Sequence, residues 1–221
     1  MEDHSNSPEG SGDDLDLSRP DAFLPSTNNI GILSAVPSPG MAIFPQLLSD
    51  QHQTILMEGE TWNHNYKLTN ADTGQPILAV DAELFSLSHR KHIIEVSTGT
   101  KLCTIRHKAF SGCGLYYAET TDDGAHIFDA ELATRYGPLN YRIAFDNACS
   151  EGEKCVLDFQ TTSRRHLRDG TVFWDGRPVA CVRRLAVFAK RYEIAIAPML
   201  DPFVVLGLLL AVESKARARR G

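Results

Sequence analysis

The side chains able to do chemistry in this 221-residue chain fall into three sets. The first pairs cysteine with histidine. Cys103 or Cys181, with a distant histidine, has the residue types of a nucleophile and its base. A cysteine packed on a strand accounts for either one without a reaction, and that is the reading adopted. The five cysteines (Cys103, Cys113, Cys149, Cys155 and Cys181) are an odd number with no Cys-x-x-Cys pair. They are expected to be free thiols in a reducing compartment, most of them buried as small hydrophobes. The second set is metal-ligating: His89 and His92 with His107. A polar turn, His89-Arg-Lys-His92, explains the first two, and nearness in sequence does not bring ligands to one point. No metal and no cofactor are expected. The sequence contains no Gly-x-Ser-x-Gly, His-Glu-x-x-His, phosphate-binding loop or Gly-x-Gly-x-x-Gly. An enzyme is therefore not expected.

The third set is basic. Arg164, Arg165 and Arg168 stand just before a turn, and Arg90 with Lys91 in another. Arg183-Arg184 and Lys190-Arg191 flank a further loop. Groups of this kind, gathered at one end of a fold, hold a phosphorylated headgroup by charge-assisted hydrogen bonds. The plain alternative is a set of solvated turn charges balanced by acids. Overall charge does not decide between them. Residues 1–40 hold seven acids and one base, leaving 21 acids and 21 bases for the rest of a chain of net charge −6. The body is balanced, so the sum argues for no anionic partner and against none.

What could position these groups is read from the run Asp201 to Ser214. Asp201 suits an N-cap and Pro202 the first helical position. Phe203 to Val212 then carries no polar side chain, so the helix has no water-facing side. Ten helical residues rise about 15 Å, half the roughly 30 Å of a bilayer core. The run is too short to span a membrane and must be enclosed by protein. From Gln53 onward about twelve short strands alternate with turn signals such as Asp122-Asp-Gly124 and Asp175-Gly176. Clean alternation, as in Tyr141, Ile143 and Phe145, means one face buried and one wet. Closing the sheet removes its edges and makes room for the helix. The expected fold is all-β: a closed antiparallel barrel of about twelve strands around a central hydrophobic C-terminal helix. Gly207, in mid-helix, is expected where helix and wall approach closely.

Residues 1–40 are expected to be a disordered acidic tail, 41–214 the barrel, and 215–221 a basic tail. Met1-Glu2-Asp3 opens no signal peptide.

The chain resembles the LURP-one-related proteins, which share the tubby C-terminal-like fold with tubby and the phospholipid scramblases. The resemblance lies in Tyr66-Lys-Leu-Thr-Asn70, Gly74-Gln-Pro-Ile-Leu-Ala-Val-Asp81, Leu84 to Lys91 and Thr98 to Arg106. It resumes in Asp175 to Val182 and Tyr192 to Pro198, ends with the apolar helix, and covers about residues 53–214. It implies a twelve-stranded barrel around a C-terminal helix, in agreement with the reading above. It also implies a binding module in place of an enzyme, with phosphoinositide or another anionic phospholipid as ligand. Arg90, Lys91, Arg164, Arg165 and Arg168 are the expected contacts, although the family's own lipid-binding positions do not map onto them one by one. The alternative is a cytoplasmic or nuclear regulatory protein that binds protein partners. A monomer in the cytoplasm, touching membrane peripherally if at all, is expected.

Overall fold

The computed structural model describes residues 33–60, 65–83, 90–108, 114–133, 140–161, 169–186 and 190–218, with side chains to Ser214 in the last element. Twelve strands are formed among these residues. They are β1 (Gln53–Gly59), β2 (Tyr66–Asn70), β3 (Pro76–Ala82), β4 (Lys91–Glu95), β5 (Lys101–His107) and β6 (Tyr116–Thr120). Then come β7 (His126–Leu132), β8 (Asn140–Asn147), β9 (Glu153–Thr161), β10 (Asp169–Trp174), β11 (Arg177–Arg184) and β12 (Lys190–Ile196). Each pairs antiparallel with its neighbours in sequence, and β12 pairs with β1 to close the ring. The closing register runs from Gln53 opposite Ile196 to Gly59 opposite Lys190.

Period-two alternation builds the interior. Tyr141, Ile143 and Phe145 of β8 point inward beside Cys155, Leu157 and Phe159 of β9. Helix α1 (Pro202–Ala218) runs through the middle, and every residue from Pro202 to Glu213 is buried. A ring of inward apolar side chains on all sides is what an apolar helix without a polar face requires. Gly207 is the point of closest approach. A Cβ there would meet Cζ of Phe128 at 2.8 Å, so only glycine lets the aromatic ring lie against the helix backbone.

The helix enters as its sequence predicts. Asp201 Oδ1 accepts from the Phe203 N–H at 2.8 Å, and the Val204 N–H donates to the Asp201 carbonyl at 3.2 Å. The other carboxylate oxygen, Oδ2, accepts from the Ile43 and Phe44 N–H groups at 3.1 and 2.8 Å. Those two amides belong to an extended strap, residues 33–48, that crosses this end of the barrel. Met41 bridges Leu200, the Ser34 N–H donates to the Pro178 carbonyl, and the Val36 N–H donates to the Pro198 carbonyl. Leu33 and Val36 are buried in the core. Among the described residues, packing against the barrel thus already includes Leu33 and Val36, ahead of the expected Met41. Two apolar anchors and a series of backbone hydrogen bonds order a stretch whose prolines hide any periodicity.

A second departure concerns His89-Arg-Lys-His92. His89 lies outside the described residues, but Lys91 and His92 are not in a turn: they open strand β4. Lys91 shares the inward face of that strand with Ile93 and is buried.

Candidate functional site: the loop-bearing mouth

Because every strand runs opposite to the last, successive connections fall at alternate ends of the barrel. One end, the floor, lies under the helix N-terminus and the strap. Its five connections, 71–75, 96–100, 121–125, 148–152 and 175–176, are tight. They carry Asp72, Asp122, Asp123, Glu151 and Asp175, and no lysine or arginine. The other end, where the helix C-terminus emerges, has six connections, 60–65, 83–90, 108–115, 133–139, 162–168 and 185–189, of which all but the last are longer than any at the floor. In sequence these hold Arg90, Lys108, Arg135, Arg164, Arg165 and Arg168 against Glu60 and Glu83. In sequence, the connections at the two ends thus differ in the sign of their charge.

Arg164, Arg165 and Arg168 themselves lie outside the described residues. Their flanks, Thr161 at the end of β9 and Asp169 at the start of β10, are both buried at this mouth. Arg90 stands at the same mouth, with its guanidinium 3.8 Å from Glu83. Glu83 also takes Nε2 of His92 at 2.8 Å, and that hydrogen bond, with Arg90 and Lys101 nearby, holds its carboxyl below the usual range. The other nitrogen of His92, Nδ1, lies 3.1 Å from the Thr104 hydroxyl. Both ring nitrogens are engaged within the wall. Among the described residues no group of three or more His, Cys, Asp or Glu is placed to hold a metal ion.

The remaining bases singled out in the sequence are held by the barrel. Arg183 pairs with Glu193 at 3.0 Å and Arg191 with Glu58 at 2.9 Å, each directly across a strand pair. Arg142 meets Asp158 in the same way at 2.8 Å, and Arg106 meets Glu119. Arg184 lies 5.9 Å from the Tyr192 ring centroid and donates to the Ala186 carbonyl. Lys190 donates to the Glu60 carbonyl at 2.6 Å and lies over Tyr66. Cross-strand pairs of this kind contribute a few tenths of a kcal/mol to about 1 kcal/mol each.

Inside the mouth is a polar collar that sequence reasoning missed. Lys91 Nζ donates to Ser214 Oγ at 2.7 Å and reaches the Leu210 carbonyl at 3.4 Å. Ser214 Oγ donates to that same carbonyl at 2.7 Å. The Tyr66 hydroxyl donates to the buried carboxylate of Glu213. Burial pushes the Tyr116 phenol up to about 12, against a hydrogen bond to Ser214 that lowers it. The collar caps helix carbonyls with a cation, where the dipole favours positive charge. Lys91, one of the expected lipid contacts, is thus buried beneath the mouth, where its ammonium holds the helix end. The signal that could have found the collar is Glu213. A carboxylate one residue beyond an enclosed apolar run must itself be enclosed, and needs donors.

Among the described residues four thiols are free. Burial pushes Cys103 far up, and raises Cys155 and Cys181 in the same direction. A thiol held protonated is a poor nucleophile.

A closed twelve-stranded antiparallel barrel threaded by its own C-terminal helix, with long loops at one mouth only, defines the class of protein. A family model described as LURP-one-related matches residues 53–213, and the chain belongs to that family. In structure the chain is similar to the X-ray structure of a protein from Arabidopsis thaliana. The TM-score is 0.57 at 13% identity, over 78% of this chain and 96% of that one. At that identity the likeness speaks for the fold alone. No curated protein matches the chain.

Proposed function

We propose that this protein is a non-enzymatic binding module whose loop-bearing mouth docks on anionic phospholipid, with phosphoinositide headgroups as ligand. The observation that carries the reading is the separation of charge along the barrel axis. Acidic turns stand at the floor, and the loops at the mouth are predominantly basic. An anionic surface attracts one end and repels the other, so the molecule approaches it mouth first. Arg90, Arg164, Arg165 and Arg168 are the proposed contacts. Tubby-like barrels, which the chain resembles, hold phosphoinositides through basic surface residues, and this favours a headgroup as the ligand. The reading places a monomer in the cytoplasm, peripheral to membrane.

Each base close to an anionic leaflet is worth about 1 kcal/mol, so four give weak, salt-sensitive attachment. Wild-type protein is expected to sediment with vesicles containing phosphoinositide at low salt, and to be released as salt rises. Replacing Arg164, Arg165 and Arg168 together by Ala should abolish sedimentation and leave the melting temperature within a degree or two, as expected of charges that serve a ligand and not the fold. Wild-type protein that ignores such vesicles at low salt would remove the lipid reading. A regulatory protein that binds a protein partner in cytoplasm or nucleus would then take its place.

A further inference from the structure

Strap 33–48 lies outside the residues the family model matches, yet it is tied to the centre of the fold. Two buried polar side chains hold it. Asn147, at the end of β8, accepts from the Ala42 N–H at 2.9 Å and donates through Nδ2 to the Gly40 carbonyl at 2.9 Å. Asp201 is fully buried, and two of its three backbone donors, Ile43 and Phe44, come from the strap. The third, Phe203, comes from the helix. The Phe44 ring stands edge-on to the Phe203 ring, with centroids 4.7 Å apart. The corner between β12 and the helix is held from the same side. The Met41 N–H donates to the Met199 carbonyl at 2.9 Å, and the Met199 N–H to the Ser49 carbonyl at 2.8 Å. Met199 has φ +63, a left-handed conformation that a side-chain-bearing residue keeps only when its surroundings impose it.

We infer that residues 33–48 are a latch on the central helix: strap and helix N-terminus open and close as one cooperative unit, joined through the Asp201 side chain. If the strap lifts, a buried carboxylate keeps only the helix donor, the Phe203 ring loses its edge contact, and the Met199 corner loses its bond to Met41 and keeps the one to Ser49. If the helix withdraws, Ile43 and Phe44 lose their shared acceptor. A buried acceptor shared by two elements makes each element's order depend on the other's. Retention of the helix is thus governed from a segment upstream of the barrel itself. This inference does not depend on what the mouth binds.

Residue-resolved hydrogen exchange on the full chain tests it. In the wild type the amides of Ile43 and Phe44 should exchange at the same slow rate as those of Phe203 and Val204. Phe44→Ala alters the strap alone and leaves every polar group in place. It should accelerate exchange at all four amides about tenfold or more, while Ile93 and Ile105 on the far wall stay at wild-type rates. Asp201→Ala should act in the same direction and more strongly. Should that variant fail to fold, the Phe44→Ala measurement decides alone. Fast exchange at Ile43 and Phe44 with Phe203 and Val204 unchanged, in either variant or in the wild type, would overturn the latch.

Discussion

Asp201 concentrates the most consequence in one side chain. Burial pushes its carboxyl up to about 7, although the N–H groups of Phe44, Phe203 and Ile43 pull it down. In an unfolded chain an aspartate titrates near 3.9, so between about pH 4 and 7 the folded protein binds a proton that the unfolded chain does not. A raised folded value gives stability that is complete below the unfolded value and is lost as pH rises through the folded one. The strap and the first helical turn bring no ionisable group to it. From the β8–β9 turn comes Cys149, raised by burial and by the Asp201 charge, which does not titrate in this window. Relative to Asp201→Asn, wild-type protein should therefore gain of the order of 1 kcal/mol on going from pH 8 to pH 6. Denaturant midpoints of the two proteins at both pH values check this. Equal slopes would show that the carboxyl titrates normally.

Gly207 makes the second residue-scale case. In a helix interior Ala is favoured over Gly by about 1 kcal/mol. Here the added methyl would lie 2.8 and 3.1 Å from two atoms of the Phe128 ring. Overpacking a tight core costs about 1–3 kcal/mol, so the clash should outweigh the propensity. Gly207→Ala should lower the melting temperature by several degrees, and Phe128→Leu in the same chain should restore part of the loss.

Among the elements, the helix and most strands were legible in the sequence because burial leaves a periodic mark. Phe203 to Val212 had to be enclosed, and alternation in β8, β9 and β12 showed one inward face each. Two elements left no such mark. The strap has no period, since Pro37, Pro39 and Pro45 interrupt it. Its partners Asn147 and Asp201 are more than a hundred residues away. The start of β4 was misread for a different reason. Lys91 is polar by type, and only the helix end beneath it, with Ser214 and the Leu210 carbonyl, explains an inward lysine. The helix itself can be tested directly. Leu208→Asp places a charge at a fully buried position, and several kcal/mol is a large share of a stability of about 5–15 kcal/mol. Insoluble or unfolded protein is expected. A soluble variant with the wild-type melting temperature would show that the helix is not the core.

For the molecule as a whole, the candidate site was half legible. The density of arginine near residues 164–168 was plain, but convergence was not. Topology brings every second connection of an up-and-down ring to one end, so connections 83–90 and 162–168 share the mouth, and a meeting of their arginines there is part of the proposal. Knowing that the wall arginines are paired off needed the register, because Arg191 faces Glu58 only when the last strand meets the first.

That closure has a consequence for how the protein is made. The filling of this barrel is encoded after all twelve strands, and β1 has its second neighbour only once β12 exists. A chain growing on the ribosome carries eleven apolar inner faces before the partner strand, and then the helix that covers them, can emerge. Early folding would leave a hollow wall. The nascent chain is thus committed to late, non-local assembly, and to a period in which its stickiest surfaces stand uncovered.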